Sequence, residues 1–378
     1  MLDLKLFQEM LSIDSTSGHE DEMMAWLRSS GSSVIPSGSS VIPSEAKESP
    51  FLLLTWGTPR VVFCTHVDTV PPYIPPTFQR EDGTPCDPQE AAVIRGRGAC
   101  DAKGQLFAML TACRRLADEG CTDFGLLLVT GEETGSWGAK AFAKTDFRAP
   151  YLIIGEPTEN KMVSASKGTK AYQLTFKGEA FHSGYPQFGH SAVDAFVEFY
   201  NALKAVDFGL DPILGETTWN IGRLSSDNPQ NILSPELTCR LYFRTTFVSD
   251  EKVQRWMLGD SLGPSGLGMT KRASVIPSTD TSVIPSPDTS VIPSPERASV
   301  SPAVEAIGGD TPAEYMTLPG FETAPAAFGS DAPHLTNFAH KIICGPGSIR
   351  VAHRDDEHIL VRDLEQAVEQ YIKMFKLL

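Results

Sequence analysis

Apolar residues along this chain fall into two alternating patterns. Val61 to Cys64, Phe124 to Val129 and Tyr151 to Ile154 are nearly continuous apolar runs that end in polar, glycine-rich turns, as expected of strands buried on both faces of a largely parallel sheet. Between the first two lies a segment with helical spacing. From Asp101 to Glu119 the apolar positions Leu106, Met109, Leu110, Cys113, Leu116 and Ala117 recur every three or four residues, and Gly120 stands as a stop signal. Leu360 to Phe375 repeats the pattern through Leu364, Ala367, Val368, Tyr371, Ile372 and Phe375. Both helices are suited to covering a sheet face.

The middle of the chain has a different rhythm. It predicts a strand at Lys170 to Phe176, a helix from Ser191 to Val206, strands at Thr218 to Arg223 and Glu236 to Phe247, and a short helix near Asp250 to Leu258. A closing strand follows near Ser301 to Ile307, and the first sheet is expected to resume near Thr323. The fold class is therefore α/β: a mostly parallel-sheet domain with helices on both faces, discontinuous over 1–165 and 310–378. An α+β domain of ferredoxin-like order is inserted at 166–309.

Ser-Val-Ile-Pro-Ser occurs at 33–37, 40–44, 274–278, 282–286 and 290–294. Its spacing is far below the roughly 20 to 50 residues of solenoid and propeller repeats, and the linking residues are small and polar. These tracts, at 32–44 and 273–297, read as inserted solvated loops. The Val-Ile pairs suit a sheet edge, although each proline removes a backbone donor.

The 378 residues are 41% hydrophobic and 21% charged, with a formal charge of −15 and a pI near 5.0. That sign argues against a nucleic-acid partner. No apolar run approaches the roughly 20 residues of a membrane helix, and the first residues lack the zones of a secretion signal, so the expected compartment is the cytoplasm and no membrane partner is expected. Seven cysteines without a CxxC pair suggest neither a disulfide framework nor a thiolate metal site; Cys64 and Cys100 read as small buried hydrophobes.

Five motifs stand at or just after predicted strand ends, where open α/β sheets place their ligands. They are His66-Val67-Asp68-Thr69-Val70, Gly98-Ala99-Cys100-Asp101-Ala102-Lys103-Gly104, Gly131-Glu132-Glu133-Thr134-Gly135, Gly155-Glu156-Pro157-Thr158, and Gly345-Pro346-Gly347 leading to His353. Each alone is weak. Together they offer the imidazoles and carboxylates that Zn and similar divalent ions accept in hydrolytic sites. With His66, Asp101, Glu133, Glu156 and His353 as ligands, three carboxylates, two divalent ions and a bridging hydroxide balance to zero charge, whereas a single ion leaves the site two charges negative. On that supposition a two-metal cluster sharing Asp101 and a water is physically sensible. Asp68 is then placed to accept the ring N–H of His66, and Glu132 to act as the base.

In this order and spacing the motifs resemble the M20 metallopeptidase and deacylase family, over almost the whole chain outside the repeat tracts. The family includes acetylornithine deacetylase, succinyl-diaminopimelate desuccinylase, aminoacylases and carboxypeptidase-like enzymes. Ile154-Gly155-Glu156-Pro157-Thr158 and Cys344-Gly345-Pro346-Gly347-Ser348-Ile349, followed by Ala352-His353 and Asp356-Glu357, are most similar to acetylornithine deacetylase. The resemblance implies a homodimeric hydrolase with two Zn2+ per subunit, Co2+ or Mn2+ being acceptable substitutes. His66 and Glu156 would hold one ion, Glu133 and His353 the other, and Asp101 would bridge them. Glu132 would be base and then acid, and Asp68 would support His66. His182, in Phe181-His182-Ser183-Gly184-Tyr185-Pro186, would reach the partner subunit's site and stabilise the oxyanion. Asn231 and Arg244 would bind substrate carboxylate, although the proline after Asn231 comes one residue later than the family's usual spacing.

The substrate this implies is a small N-acyl amino acid, N-acetyl-L-ornithine first, in arginine biosynthesis. Succinyl-amino acids, dipeptides and C-terminal residues of peptides are the enzymatic alternatives. A catalytically silent assembly protein using the Ser-Val-Ile-Pro-Ser tracts as contacts is the non-enzymatic one.

Overall fold

Continuous apolar runs form strands here because both sides of each are covered. In the computed structural model, which describes residues 2–29, 40–42, 49–259 and 301–378, Val61–His66 is buried at every position. Val61 and Phe63 belong to one core with Phe124, Leu126, Leu128 and Ile153, while Val62 and Cys64 belong to a second with Leu127, Val129, Leu152 and Ile154. Successive side chains point to opposite faces of a strand, so a two-residue alternation separates the cores even though every residue is apolar.

The chain divides into two units, Met1–Ser166 with Ala313–Leu378, and Lys167–Pro312. The first holds a six-stranded sheet in the order Ser40–Ile42, Phe51–Gly57, Asp123–Val129, Val61–His66, Ala149–Ile154, Phe338–Ile343. The last four run parallel, and the first two are added antiparallel. One face is covered by the helices Leu4–Ser12, Asp21–Ser29, Lys103–Asp118 and Val361–Leu377, whose apolar stripes supply Phe7, Met24, Phe107, Leu364 and Phe375 to the first core. The other face packs against Ala139 and Phe142 of the short helix Trp137–Phe142.

One repeat contributes backbone to this sheet. Ser40–Ile42, the start of the second Ser-Val-Ile-Pro-Ser copy, pairs with Leu53 to Thr55 at the sheet edge. The strand stops just before Pro43, which has no N–H to offer a ladder. The copies at 33–37 and 274–294, and with them nearly all of the two tracts, lie outside the described residues.

The segment at Thr323 departs from expectation. Thr323–Ala326 does not rejoin the main sheet but pairs with Met162–Ser166 in a small sheet completed by Ala313–Glu314. Pro325 lies inside it where the register shifts, and three of its four residues are partly or fully exposed, which suits an edge and not a buried strand. Phe338–Ile343 takes the expected place, parallel to Ala149–Ile154.

The second unit is a four-stranded antiparallel sheet in the order Thr218–Ser225, Glu236–Thr245, Gly168–Lys177, Ala303–Gly308. In chain order with the helices Ala192–Lys204 and Asp250–Leu258 this is the ferredoxin-like β-α-β-β-α-β series. Its core gathers Tyr172, Leu174, Phe176, Phe199, Leu241, Phe243 and Trp256. Among the described residues no helix is long and apolar enough to cross a membrane.

Candidate active site

The carboxyl ends of the parallel strands, with the loops that follow them, assemble the first unit's titratable cluster. His66 ends its strand, Glu132 and Glu133 follow Asp123–Val129, Glu156 follows Ala149–Ile154, and His353 lies in the loop after Phe338–Ile343. Asp101 comes from the turn before helix Lys103–Asp118, which connects two of these strands. The sheet topology alone therefore brings residues nearly 290 positions apart to one rim.

Asp101 is the centre of the arrangement. Its Oδ1 lies 3.1 Å from His66 Nε2 and its Oδ2 lies 3.3 Å from His353 Nε2, so each carboxylate oxygen faces a different imidazole. His353 Nε2 also lies 2.8 Å from Glu133 Oε1. His66, Asp101 and Glu156 present ligand atoms within 4.8 Å of one another, and so do Asp101, Glu133 and His353. Two donor sets sharing one bridging carboxylate suit a pair of divalent ions by the chemistry of their atoms. His66, Glu132 and Glu133 form a third such group; the backbone turns at Gly131, so these neighbouring glutamates both reach the cluster.

Asp68 holds more than a histidine. Its Oδ1 accepts the Glu132 N–H at 3.1 Å, and its Oδ2 accepts the Glu133 N–H at 3.2 Å and the Ser17 hydroxyl at 2.9 Å. The Nδ1 of His66 is closer to the Asp68 carbonyl, at 2.9 Å, than to its carboxylate, at 3.4 Å. The side chain thus fixes chiefly the Glu132-Glu133 turn, and the backbone orients His66.

Burial and neighbouring charges together shift several pKa values here. Burial alone would depress the His66 imidazole, but the Asp101 and Asp68 carboxylates beside it outweigh that and hold its pKa well above the usual value. Hydrogen bonds to Asp101 and Glu133 raise His353 to about 10. Burial works against ionisation of Asp101, yet the His353 and His66 contacts keep its carboxyl below the usual range. Burial pushes Glu132 and Glu156 well up, with neighbouring carboxylates adding to the effect. Anionic donors crowded into a low-dielectric pocket are what a bound divalent cation would neutralise.

Two further buried acids belong to this neighbourhood beyond the expected ligands. Asp331 is 3% exposed, its Oδ1 has no hydrogen-bond partner, and burial raises its pKa to about 6. It sits in the field of His66 and Asp68. Glu357 is 1% exposed, and its Oε1 accepts the N–H groups of Gly98, Cys100 and Asp101. Neither lies on a periodic segment; Asp331 is marked only by its place in Gly-Ser-Asp, while Glu357 belongs to the Asp356-Glu357 pair that follows His353 but had no role assigned to it.

The remaining expected site residues are in the second unit. His182 is exposed, and its Nδ1 accepts the Gly184 N–H at 3.0 Å, which leaves the proton of the neutral ring on Nε2 as a donor. The Asn231 carbonyl accepts the Ser183 N–H at 2.8 Å, so His182 and Asn231 stand together on paired loops. Arg244 is elsewhere. It is the penultimate residue of strand Glu236–Thr245, stacked over Tyr242 at 5.0 Å. The eight steps from Glu236 to Arg244 span roughly 27 Å at about 3.4 Å per residue, with Asn231 beyond the opposite end. Asn231 and Arg244, both expected at the substrate carboxylate, therefore stand near opposite ends of this strand.

Residues 62–376 match peptidase family M20/M25/M40. A probable carboxypeptidase of Aspergillus flavus is 31% identical over 99% of this chain and 86% of its own length, and one of Aspergillus oryzae matches equally. Among solved structures, a Staphylococcus aureus tripeptidase superposes with a TM-score of 0.73 at 19% identity, covering 99% of this chain and 97% of that one. An M20 family metallo-carboxypeptidase of Sulfolobus solfataricus superposes with a TM-score of 0.65 at 16% identity over 100% of both chains. At these identities the structures speak to fold alone.

Proposed function

Because this chain belongs to peptidase family M20/M25/M40, and is accordingly a hydrolase of a metal-dependent family, we propose that it is a dinuclear metallo-carboxypeptidase that releases C-terminal amino acids from short peptides. The observation that carries the reading is the Asp101 carboxylate, whose two oxygens face His66 and His353 separately while Glu156 and Glu133 complete the two sets. His66 and Glu156 would hold one ion and Glu133 and His353 the other, zinc being the metal proposed. Bound ions supply polarisation of the scissile carbonyl and a more acidic water.

The protein's own groups then have defined tasks. Glu132, whose carboxyl burial pushes well up, takes a proton from the attacking water and returns it to the departing amine, which needs a group of pKa nearer neutrality than an ordinary carboxylate. Asp68 holds the Glu132 backbone while this happens. His182, with its donor on Nε2, is assigned to the developing oxyanion. The family resemblance of the segment around His182 carries the homodimer reading, in which His182 would serve a partner subunit's site, and Asn231 and Arg244 are assigned to the substrate carboxylate.

Support for a peptide over N-acetyl-L-ornithine comes from the carboxypeptidase names of the Aspergillus relatives. The segments most similar to acetylornithine deacetylase have packing reasons to be as they are. A side chain at Gly345 would meet Glu156 O at 2.6 Å, and one at Gly347 would meet Cys100 Sγ at 2.6 Å; these glycines let the backbone close around two ligand loops and carry no information about substrate. Both readings share one chemistry, an amide whose leaving group is an α-amino acid. The test is amino-acid release by zinc-loaded protein from N-blocked dipeptides with free and amidated C-termini, from N-acetyl-L-ornithine, and from N-succinyl amino acids. Release only from free C-termini is expected; preference for N-acetyl-L-ornithine or an N-succinyl amino acid would overturn the carboxypeptidase reading.

A further inference from the structure

His353 is 47% exposed at its side chain, adopts a left-handed φ of 64° and comes from a loop, whereas His66 ends a fully buried strand. Something other than the sheet must therefore set where His353 stands relative to Asp101. Behind these two residues lies a buried ion pair. Glu357 Oε1 accepts the N–H groups of Gly98, Cys100 and Asp101, each at 3.0 Å, and its Oε2 accepts from Arg97 at 2.6 Å. Arg97 also donates to the carbonyls of Arg354, at 3.1 Å, and Pro72, at 3.2 Å. The backbone closes the link, with Gly96 N–H donating to Glu357 O and Glu357 N–H to Arg354 O.

We infer that the Glu357–Arg97 pair is a positioning device that fixes the Asp101-to-His353 distance and so governs binding of the second metal ion, the one assigned to Glu133 and His353. Four donors converge on Glu357, and only an ionised carboxylate accepts them all. Three of these come from the loop that ends in Asp101, and Arg97 reaches the carbonyl next to His353. One salt bridge thus joins both ligand loops. His66 and Glu156 are placed by strand ends, and no hydrogen bond of the pair reaches either. Its influence is accordingly selective.

The inference rests on the two-ion reading above, and the experiment separates the two. Zinc titration of metal-stripped protein by calorimetry is run on the wild type, on Glu357→Gln, and on His353→Ala as the reference for loss of the second position. Glu357→Gln keeps one acceptor for the loop amides but turns an NH2 group toward the Arg97 guanidinium. We expect one tight zinc to be retained and the second to bind 10- to 100-fold more weakly, the usual range for a lost partner behind a metal ligand, so that the isotherm approaches that of His353→Ala. Arg97→Lys keeps the charge but replaces the planar fork with a single ammonium; it is expected to show the same selective loss in smaller measure, and it serves if Glu357→Gln does not fold. Two zincs in the wild type with undiminished uptake in the folded variants would overturn this inference alone. Equal weakening of both positions would also overturn it, since a general loosening of the fold does that. Fewer than two zincs in the wild type would overturn the two-ion reading and this inference with it.

Discussion

Asp68→Asn offers a direct view of how the catalytic turn is held. The carboxylate accepts from Glu132 N–H, Glu133 N–H and the Ser17 hydroxyl and is fully buried. Asparagine has nearly the same shape, but one of its two terminal atoms is an NH2 group. In either rotamer that group meets the N–H of Glu132 or Glu133, donor against donor. One charge-assisted hydrogen bond is lost and a buried amide is left unpaired, together costing about 3 kcal/mol of stability. If the turn shifts in response, Glu132 moves from its place, and a 100-fold loss of kcat corresponds to about 2.7 kcal/mol. His66 should lose little, because its Nδ1 is closer to the Asp68 carbonyl than to the carboxylate. The expected result is therefore a kcat reduced 10- to 100-fold, KM within a few-fold, zinc content retained and a lowered Tm. Turnover within twofold of wild type would contradict this role of Asp68, and loss of the zinc assigned to His66 with kcat per bound metal unchanged would return Asp68 to a role confined to the histidine.

Glu132→Gln should retain zinc by elemental analysis while turnover falls by about 10²- to 10⁴-fold, the usual contribution of general acid–base catalysis; unchanged turnover would remove Glu132 from the mechanism. His182→Ala should lower kcat without moving Tm, because the ring is exposed, and a loss of Tm instead would make it a structural residue. Lys103 is 1% exposed, and burial lowers its pKa to about 8 from 10.5. Between those values the unfolded chain binds the extra proton, so this group makes metal-free stability rise with pH from about 8 to 10.5, by about 3 kcal/mol in all. Chemical denaturation of Lys103→Met across that window should lack this component; an unaltered pH slope would contradict the assignment.

Much of the architecture is legible in residue patterns, and the reasons are physical. Val61 to Cys64 and Phe124 to Val129 announce themselves because a strand covered on both faces can tolerate little but apolar residues. The helix at Lys103–Asp118 is as plain, since its buried stripe repeats with the helical period. Thr323 to Ala326 misleads because a short apolar stretch looks the same in an edge strand as in a core strand, and the exposure that distinguishes them belongs to the tertiary fold. The residues proposed to hold metal are conspicuous as His, Asp and Glu next to glycines at strand ends. Glu357 and Asp331 are not, because their burial is created by loops converging from separate parts of the sheet. Substrate is the least legible feature of all, because the glycines around Gly345 answer to packing against Glu156 and Cys100.

Two metal ions held on either side of Asp101 are proposed to make this protein a peptidase. Metal-stripped protein titrated with zinc while amino-acid release from an N-blocked dipeptide is followed tests this most directly. No release is expected at the start, with a rise that reaches its plateau at two equivalents per chain. Full activity without added metal, or none with two zincs bound, would contradict it.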